Sequence, residues 1–436
     1  MVKPQLFHGC FIHTIDGKLN ILENRYLTVE DGKITSISSS KPDGDYDIVE
    51  TTHTQIIVPG LIDAHIHASQ YSYCGCGFDL PLLLWLNKYA FPTESRYTDL
   101  EYASRVYNTV VRRTLAAGTT TASYFATIDS NSTLILANAC RYMGQRAFVG
   151  KVTMDCNSPN FYTEKSTEEA ISNVNNFLSK FGPTNEDDLV HPILTPRFAP
   201  TCSMKVMKKF GEMQKNNPSL RLQTHISENL NEIELVKTLF PDSPHYTGVY
   251  DEAGVLNSNT ILAHGVHLKD EELALISSKG ASVVHCPSSN YNIYSGLCDV
   301  RRLKDANVNV CLGTDVAGGS SISMIDAMRS ALLCSRSIYL NKRPEQGGEN
   351  PYKPLNMTDV FSMATECGAK ALGLGDKIGN FVVGKEFDAL IVDLDAGSTD
   401  CFGDESINDL FEKFIYTADD RNILRVYVHG KLVKRQ

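Results

Sequence analysis

Two histidines one residue apart, His65 and His67, close the string Pro59-Gly60-Leu61-Ile62-Asp63-Ala64-His65-Ile66-His67. Residues two apart on a strand point to the same side, so an extended run ending this way presents both imidazoles together. That geometry suits a divalent metal, which needs further ligands from elsewhere in the chain. His225 follows Leu220 to Thr224, His264 follows Thr260 to Ala263, and Asp315 ends Leu312-Gly313-Thr314-Asp315. Each stands where a short apolar run gives way to polar residues.

Zn²⁺ accepts imidazole nitrogen and carboxylate oxygen, and a catalytic site keeps a position for water. His65, His67, His225 and Asp315 therefore form a candidate ligand set for one zinc ion, although the same donors also suit iron. A cation held there lowers the pKa of a water from about 16 towards 7. Asp315 can take the released proton, while Glu228, three residues beyond His225, can carry protons to a substrate ring and to a leaving amine. An isolated histidine is more often a core residue bonded to a backbone carbonyl; the ordered set reverses that preference. His285, after Val283-Val284, is read as supporting or structural, and His53, His191, His245 and His267 as surface or packing residues.

These residues need a scaffold that brings distant segments to one place. Eight apolar, strand-like runs begin near Leu61, Thr119, Arg146, Val190, Leu220, Thr260, Ala281 and Val308, with helical periodicity between them. Thr98 with Glu101 and Ser166 with Glu169 have capping-box spacing, and Gly118 stops the first of these helices. The alternation predicts an α/β fold, a (β/α)8 TIM barrel, whose active sites lie at the carboxyl ends of the strands. The named histidines and Asp315 all fall there. Residues 5–57 and the last fifty read differently, as short alternating strands with a hairpin at Asp31-Gly32. The expected organisation is 1–58 and 381–436 joined in one small β-sandwich beside a distorted barrel over 59–380.

Composition narrows the partners. A net charge of -10 over 436 residues, without a basic stripe, opposes nucleic acid. The apolar stretch Leu80 to Leu86 falls far short of the ~20 residues that span a bilayer, and the first residues lack a signal-peptide pattern. No nucleic-acid or membrane partner is expected, and a cytoplasmic location is. The twelve cysteines are scattered, which in a reducing compartment means free thiols. Cys74 and Cys76 are read as loop thiols, not ligands, and Trp85 and Phe91 as core packing in the long first loop.

Over nearly its whole length the chain resembles the amidohydrolase superfamily. The signs are Pro59 to His67, the strand ends at His225 and His264, Gly313-Thr314-Asp315 and the terminal Gly384-Lys385-Glu386-Phe387-Asp388-Ala389-Leu390. Closer signs resemble the branch that deaminates guanine: Ala68-Ser69-Gln70-Tyr71, Thr195-Pro196-Arg197-Phe198, His225-Ile226-Ser227-Glu228-Asn229, Cys286-Pro287-Ser288-Ser289-Asn290 and Asp315-Val316-Ala317-Gly318-Gly319.

The resemblance implies Glu228 as proton shuttle, His264 as the group polarising the attacking water, Gln70 and Arg197 as contacts to guanine, and a homodimer. Phe198 offers a face for the flat base. Two-metal relatives bridge their ions with a modified lysine at the end of the fourth strand, where this chain has Arg197, so a single ion is expected. The segment Ser289-Asn290-Tyr291-Asn292 is more polar than the resemblance leads one to expect. Two rivals remain: a deaminase or dechlorinase for another heterocycle, such as a thioether nucleoside or a triazine, and a non-enzymatic scaffold, which would lack the ligands.

Overall fold

The computed structural model describes residues 3–185, 188–342 and 352–435. All eight apolar runs are strands. Leu61–His67, Thr119–Phe125, Arg146–Gly150 and Val190–Pro192 lie side by side in parallel, as do Leu222–Ile226, Thr260–His264, Ser282–His285 and Asn309–Leu312. The two arcs meet on one side through a parallel bridge between Leu194 and Leu222. On the other side the Asp315 amide donates to the His65 carbonyl at 2.9 Å and the His67 amide to the Val316 carbonyl at 3.0 Å.

Strands of both arcs feed one apolar cluster: Ile62, Phe148 and Ile193 from the first, Ile261, Val284 and Cys311 from the second. Leu372, Leu374 and Ile378 belong to the same cluster, which therefore fills the space between the arcs. A filled interior leaves only the strand ends for chemistry. The architecture is mixed α/β and consistent with a TIM-barrel-type domain.

The terminal segments share one eight-stranded sheet. Gln55–Pro59 pairs antiparallel with Ala389–Asp393, register Ile57 opposite Ile391, so the two ends of the chain meet directly. The Asp31-Gly32 hairpin is present: φ is 48° and 80° at the two turn residues, the doubly left-handed turn that matches strand twist. A buried ion cluster stitches this sheet to the first parallel arc. Arg146, at the start of the third strand of that arc, donates to Glu386 at 2.5 Å and to Asp388 at 3.1 Å.

One helix start differs from expectation. Asp99, not Thr98, caps Leu100–Ala116, its Oδ1 accepting from the amides of Glu101 and Tyr102 at 3.0 and 3.1 Å. The Asp carboxylate sits nearer those amides and adds negative charge at the positive helix end, which a threonine one residue earlier does not. Ser166 caps Thr167–Phe181 as expected.

Candidate active site

His65 and His67 end the first strand of the parallel arcs, and Asp315 lies three residues beyond the last. His65 Nε2 is 3.1 Å from Asp315 Oδ1, and His67 Nε2 is 3.5 Å from the same oxygen. The Nε2 atoms of His67 and His225 are 3.1 Å apart. His264 Nε2 faces Asp315 Oδ2 at 3.7 Å and Glu228 Oε2 at 3.4 Å. The folded chain thus gathers His65, His67, His225, His264, Glu228 and Asp315, all buried, into one cluster. Ligand atoms of His65, His225, His264 and Asp315 lie within 4.8 Å of one another, with His67 against the His225 and Asp315 edge.

This donor set fits a metal ion. His225 Nδ1 lies 2.6 Å from the Arg197 carbonyl, to which it must donate, leaving Nε2 with a lone pair that faces another imidazole nitrogen. Burial pushes His65, His67 and His225 below the ordinary histidine range, favouring the neutral, ligating form. Asp315 is held below the carboxylate range: burial opposes its charge, and the surrounding imidazoles outweigh burial. Uncharged imidazoles packed nitrogen to nitrogen around a carboxylate repel unless a cation lies among them.

The neighbours prepare this geometry. Asp63, within the first motif, accepts from Thr314 Oγ1 at 2.5 Å, the Thr314 amide at 3.0 Å and the His65 amide at 3.3 Å, so one carboxylate ties the first strand to the last. His264, Asp315 and Ser227 have φ of 75°, 48° and 46°, left-handed values that cost a non-glycine residue about 1–3 kcal/mol. Cross-strand bonds hold them, among them Gly265 amide to Ile226 carbonyl at 2.9 Å and His267 amide to Ser227 carbonyl at 3.0 Å.

Glu228 accepts from Ser295 Oγ at 2.9 Å, and burial pushes its carboxyl up to about 7. A carboxyl balanced near neutrality can both give and take a proton. His264 moves the other way from its neighbours: burial opposes its charge, but Glu228 and Asp315 raise it above the ordinary value. Its Nδ1 meets Asn290 Oδ1 at 2.9 Å.

Beside this cluster opens a cavity. Leu82, Trp85, Leu86, Phe198 and Ile293 form its apolar walls, and Gln70, Arg197 and Glu228 belong to its polar lining. Trp85, read from sequence as packing, lines the cavity while staying 3% exposed. Phe91 packs under Arg197, ring centre 5.1 Å from the guanidinium carbon.

Gln70 and Arg197 are both engaged by a residue the sequence did not single out. Glu94, 1% exposed, accepts from Arg197 Nη1 at 2.6 Å and Nη2 at 3.1 Å and from Gln70 Nε2 at 2.8 Å. A lone glutamate beside Phe91-Pro92-Thr93 carries no spacing signal. Asp63 was within reach, lying inside the quoted motif. Asn290 likewise lay inside one of the motifs, whereas Ser295 lacked any local mark. His285 is fully buried, neither ring nitrogen has a partner among the described residues, and burial pushes it down to about 3. Cys74 and Cys76 are free thiols.

The chain belongs to the amidohydrolase family, a metal-dependent hydrolase family that it matches over residues 56–433. Guanine deaminases are among the relatives that resemble it over almost their full length. The guanine deaminase of Mus musculus is 44% identical, the alignment covering 98% of this chain and 96% of that protein. The one from Dictyostelium discoideum is 41% identical over 99% and 98%. Among solved structures, the guanine deaminase from C. acetobutylicum with guanine bound in its active site superposes with a TM-score of 0.91 at 35% identity, covering 98% of this chain and 99% of that one. No helix among the described residues is long and apolar enough to cross a membrane.

Proposed function

We propose that this chain is a guanine deaminase, hydrolysing guanine to xanthine and ammonia with one zinc ion. The observation that carries the reading is Glu228 beside His264, itself against Asp315, in the lining of a mostly apolar cavity that the histidine cluster adjoins. Zinc held by His65, His67, His225 and Asp315 supplies Lewis acidity, making a water nucleophilic at neutral pH. Glu228 protonates the ring nitrogen next to the amino-bearing carbon, raising the carbon's electrophilicity. Asp315 accepts a proton from the water and His264 orients it by hydrogen bonding. The water oxygen bonds to that carbon, Glu228, now a carboxylate, takes the second water proton and hands it to the amine, the carbon–amine bond breaks with release of ammonia, and the proton held on Asp315 restores Glu228. Gln70 and Arg197 hold the base by its polar edge and Phe198 covers its face. Neutrality of the Arg197–Glu94 pair supports a free base over a phosphorylated one.

The same reading divides the chain into 1–58, 59–380 and 381–436, with the two arcs closed as a (β/α)8 barrel and the terminal sheet as a β-sandwich. It makes the protein a cytoplasmic homodimer. Twelve free thiols and an acidic balance support the compartment, and likeness to the family supports the dimer.

The test is a panel of guanine, adenine, cytosine and a thioether nucleoside, read by ammonia release, with metal analysis of the same sample. Xanthine and ammonia from guanine, lost on exhaustive chelation and restored by zinc, are expected. Metal-loaded protein that leaves guanine intact overturns the reading.

A further inference from the structure

Glu94 backs two polar residues of the cavity lining, Gln70 and Arg197, and takes only acceptor roles towards them. Gln70 is clamped at both ends: its Oε1 accepts from the Ala317 amide at 3.1 Å and its Nε2 donates to Glu94 at 2.8 Å. An amide nitrogen cannot replace Oε1 opposite a backbone N–H, so the orientation of the side chain follows from its partners. One Nε2 hydrogen is left over. Arg197 gives Glu94 one hydrogen from each terminal nitrogen, leaving three of its five N–H groups. The N–H groups left over on these two cavity-lining residues are donors, and the one side-chain oxygen between them, Gln70 Oε1, is held by the Ala317 amide.

The helical run that carries Glu94 is built to place it there. Leu82–Trp85 is α-helical, Leu86–Ala90 is a π-turn and Phe91–Glu94 is α-helical again. In an uninterrupted α-helix Glu94 would lie roughly 80° round from Leu86. A π-turn inserts one residue, so the interval behaves as a heptad and returns Glu94 to roughly the side of the helical run on which Leu86 lies.

We propose that Glu94 is a positioning residue that sets the hydrogen-bond polarity of the pocket, so that the ring edge facing Arg197 and Gln70 must carry acceptors, an oxo group and not an amino group. The proposal rests on the purine reading above and adds how an oxo purine is told from its amino counterpart. An exocyclic amine set against spare N–H groups leaves buried donors facing donors, which is disfavoured far more than the loss of one contact. Replacing Glu94 by glutamine puts an amide donor among its partners while the Ala317 amide still holds Gln70 Oε1, so the spare N–H groups lose their fixed arrangement and discrimination against an amino edge weakens.

Trp85 is the one tryptophan of the chain and lines the cavity, so its fluorescence reports occupancy without turnover. Hypoxanthine and adenine differ at the edge in question, and neither carries the 2-amino group that would be released. The native protein is expected to bind hypoxanthine roughly 10²-fold more tightly than adenine, within the discrimination that buried polar sites achieve. Glu94→Gln should shrink that ratio about tenfold and raise KM for guanine more than it lowers kcat, whereas Glu94→Asp keeps the ratio. An unchanged ratio in Glu94→Gln overturns the proposal. Should that variant not fold, equal binding of the two ligands by the native protein overturns it instead. Ammonia release from guanine by the native protein is scored separately, so failure of the deaminase reading is distinguishable from failure of this one.

Discussion

The backbone carbonyl of Arg197 lies 2.6 Å from Nδ1 of His225, so a residue that lines the cavity also orients a candidate metal ligand with its main chain. A partner on the outer nitrogen fixes the tautomer and aims the other nitrogen inward. Main chain and side chain can be separated by mutation, because a substitution at 197 leaves the carbonyl in place.

Arg197→Met is accordingly expected to keep stoichiometric metal while weakening binding of purine ligands. It also leaves the Glu94 carboxylate buried and unpaired, a loss of about 3–5 kcal/mol in stability. Removing both charges, as Glu94→Met with Arg197→Met, should restore most of the denaturation midpoint without restoring affinity. Metal analysis, ligand titration and denaturant melts of the two variants check this, and loss of metal in Arg197→Met would count against the division of labour.

Glu228→Gln keeps the hydrogen bond from Ser295 but cannot shuttle protons. The variant should fold, retain metal and lose roughly 10²–10⁴-fold in kcat, the range for a general acid–base group. Steady-state assays decide it, and turnover at the native rate removes the shuttle role.

Asp63 anchors both His65 and the strand end leading to Asp315 through three accepted hydrogen bonds. Asp63→Asn turns one acceptor into a donor facing Thr314. Metal affinity should fall about 10–100-fold, as for other residues behind the ligands. Competition with a chromophoric chelator measures it; native affinity would make Asp63 a purely structural tie.

Acid stability should depend on the seam between barrel and terminal sheet. Burial pushes the Glu386 carboxyl up, but His429 at 2.9 Å and Arg146 at 2.5 Å pull it down to about 2. Its folded value lies below the unfolded one, so the stabilisation is complete above pH ~4.5 and disappears as pH falls towards 2. The difference corresponds to roughly 3 kcal/mol. Glu386→Gln should lower stability at pH 7 and flatten its dependence between pH 5 and 2 in denaturant melts, and a variant with the native slope would contradict the assignment.

The sequence alone determined the eight strands, their parallel alternation with helices and the placing of the histidines and Asp315 at strand ends. Those features are written in local periodicity: apolar runs of strand length, helical spacing between them, and a polar residue where each run stops. The pairing of chain ends was also legible, through the Asp31-Gly32 turn and the short strands near Leu390 and Val426. Even locally, one position of cap was misplaced, because Thr98 and Asp99 are both good caps and only the backbone path selects between them.

Tertiary structure alone decided which side chains serve the candidate site from outside the motifs. Glu94 meets Arg197 across 103 residues and Asp63 meets Thr314 across 251. Trp85 became a cavity wall, and Ser295 came to hold Glu228. An isolated glutamate, serine or tryptophan has no periodicity to betray it; its role is conferred by what packing sets opposite it. Metal ligands can be recognised in a chain because their chemistry is rare in apolar strands, whereas the residues that orient them draw their meaning from distance in space.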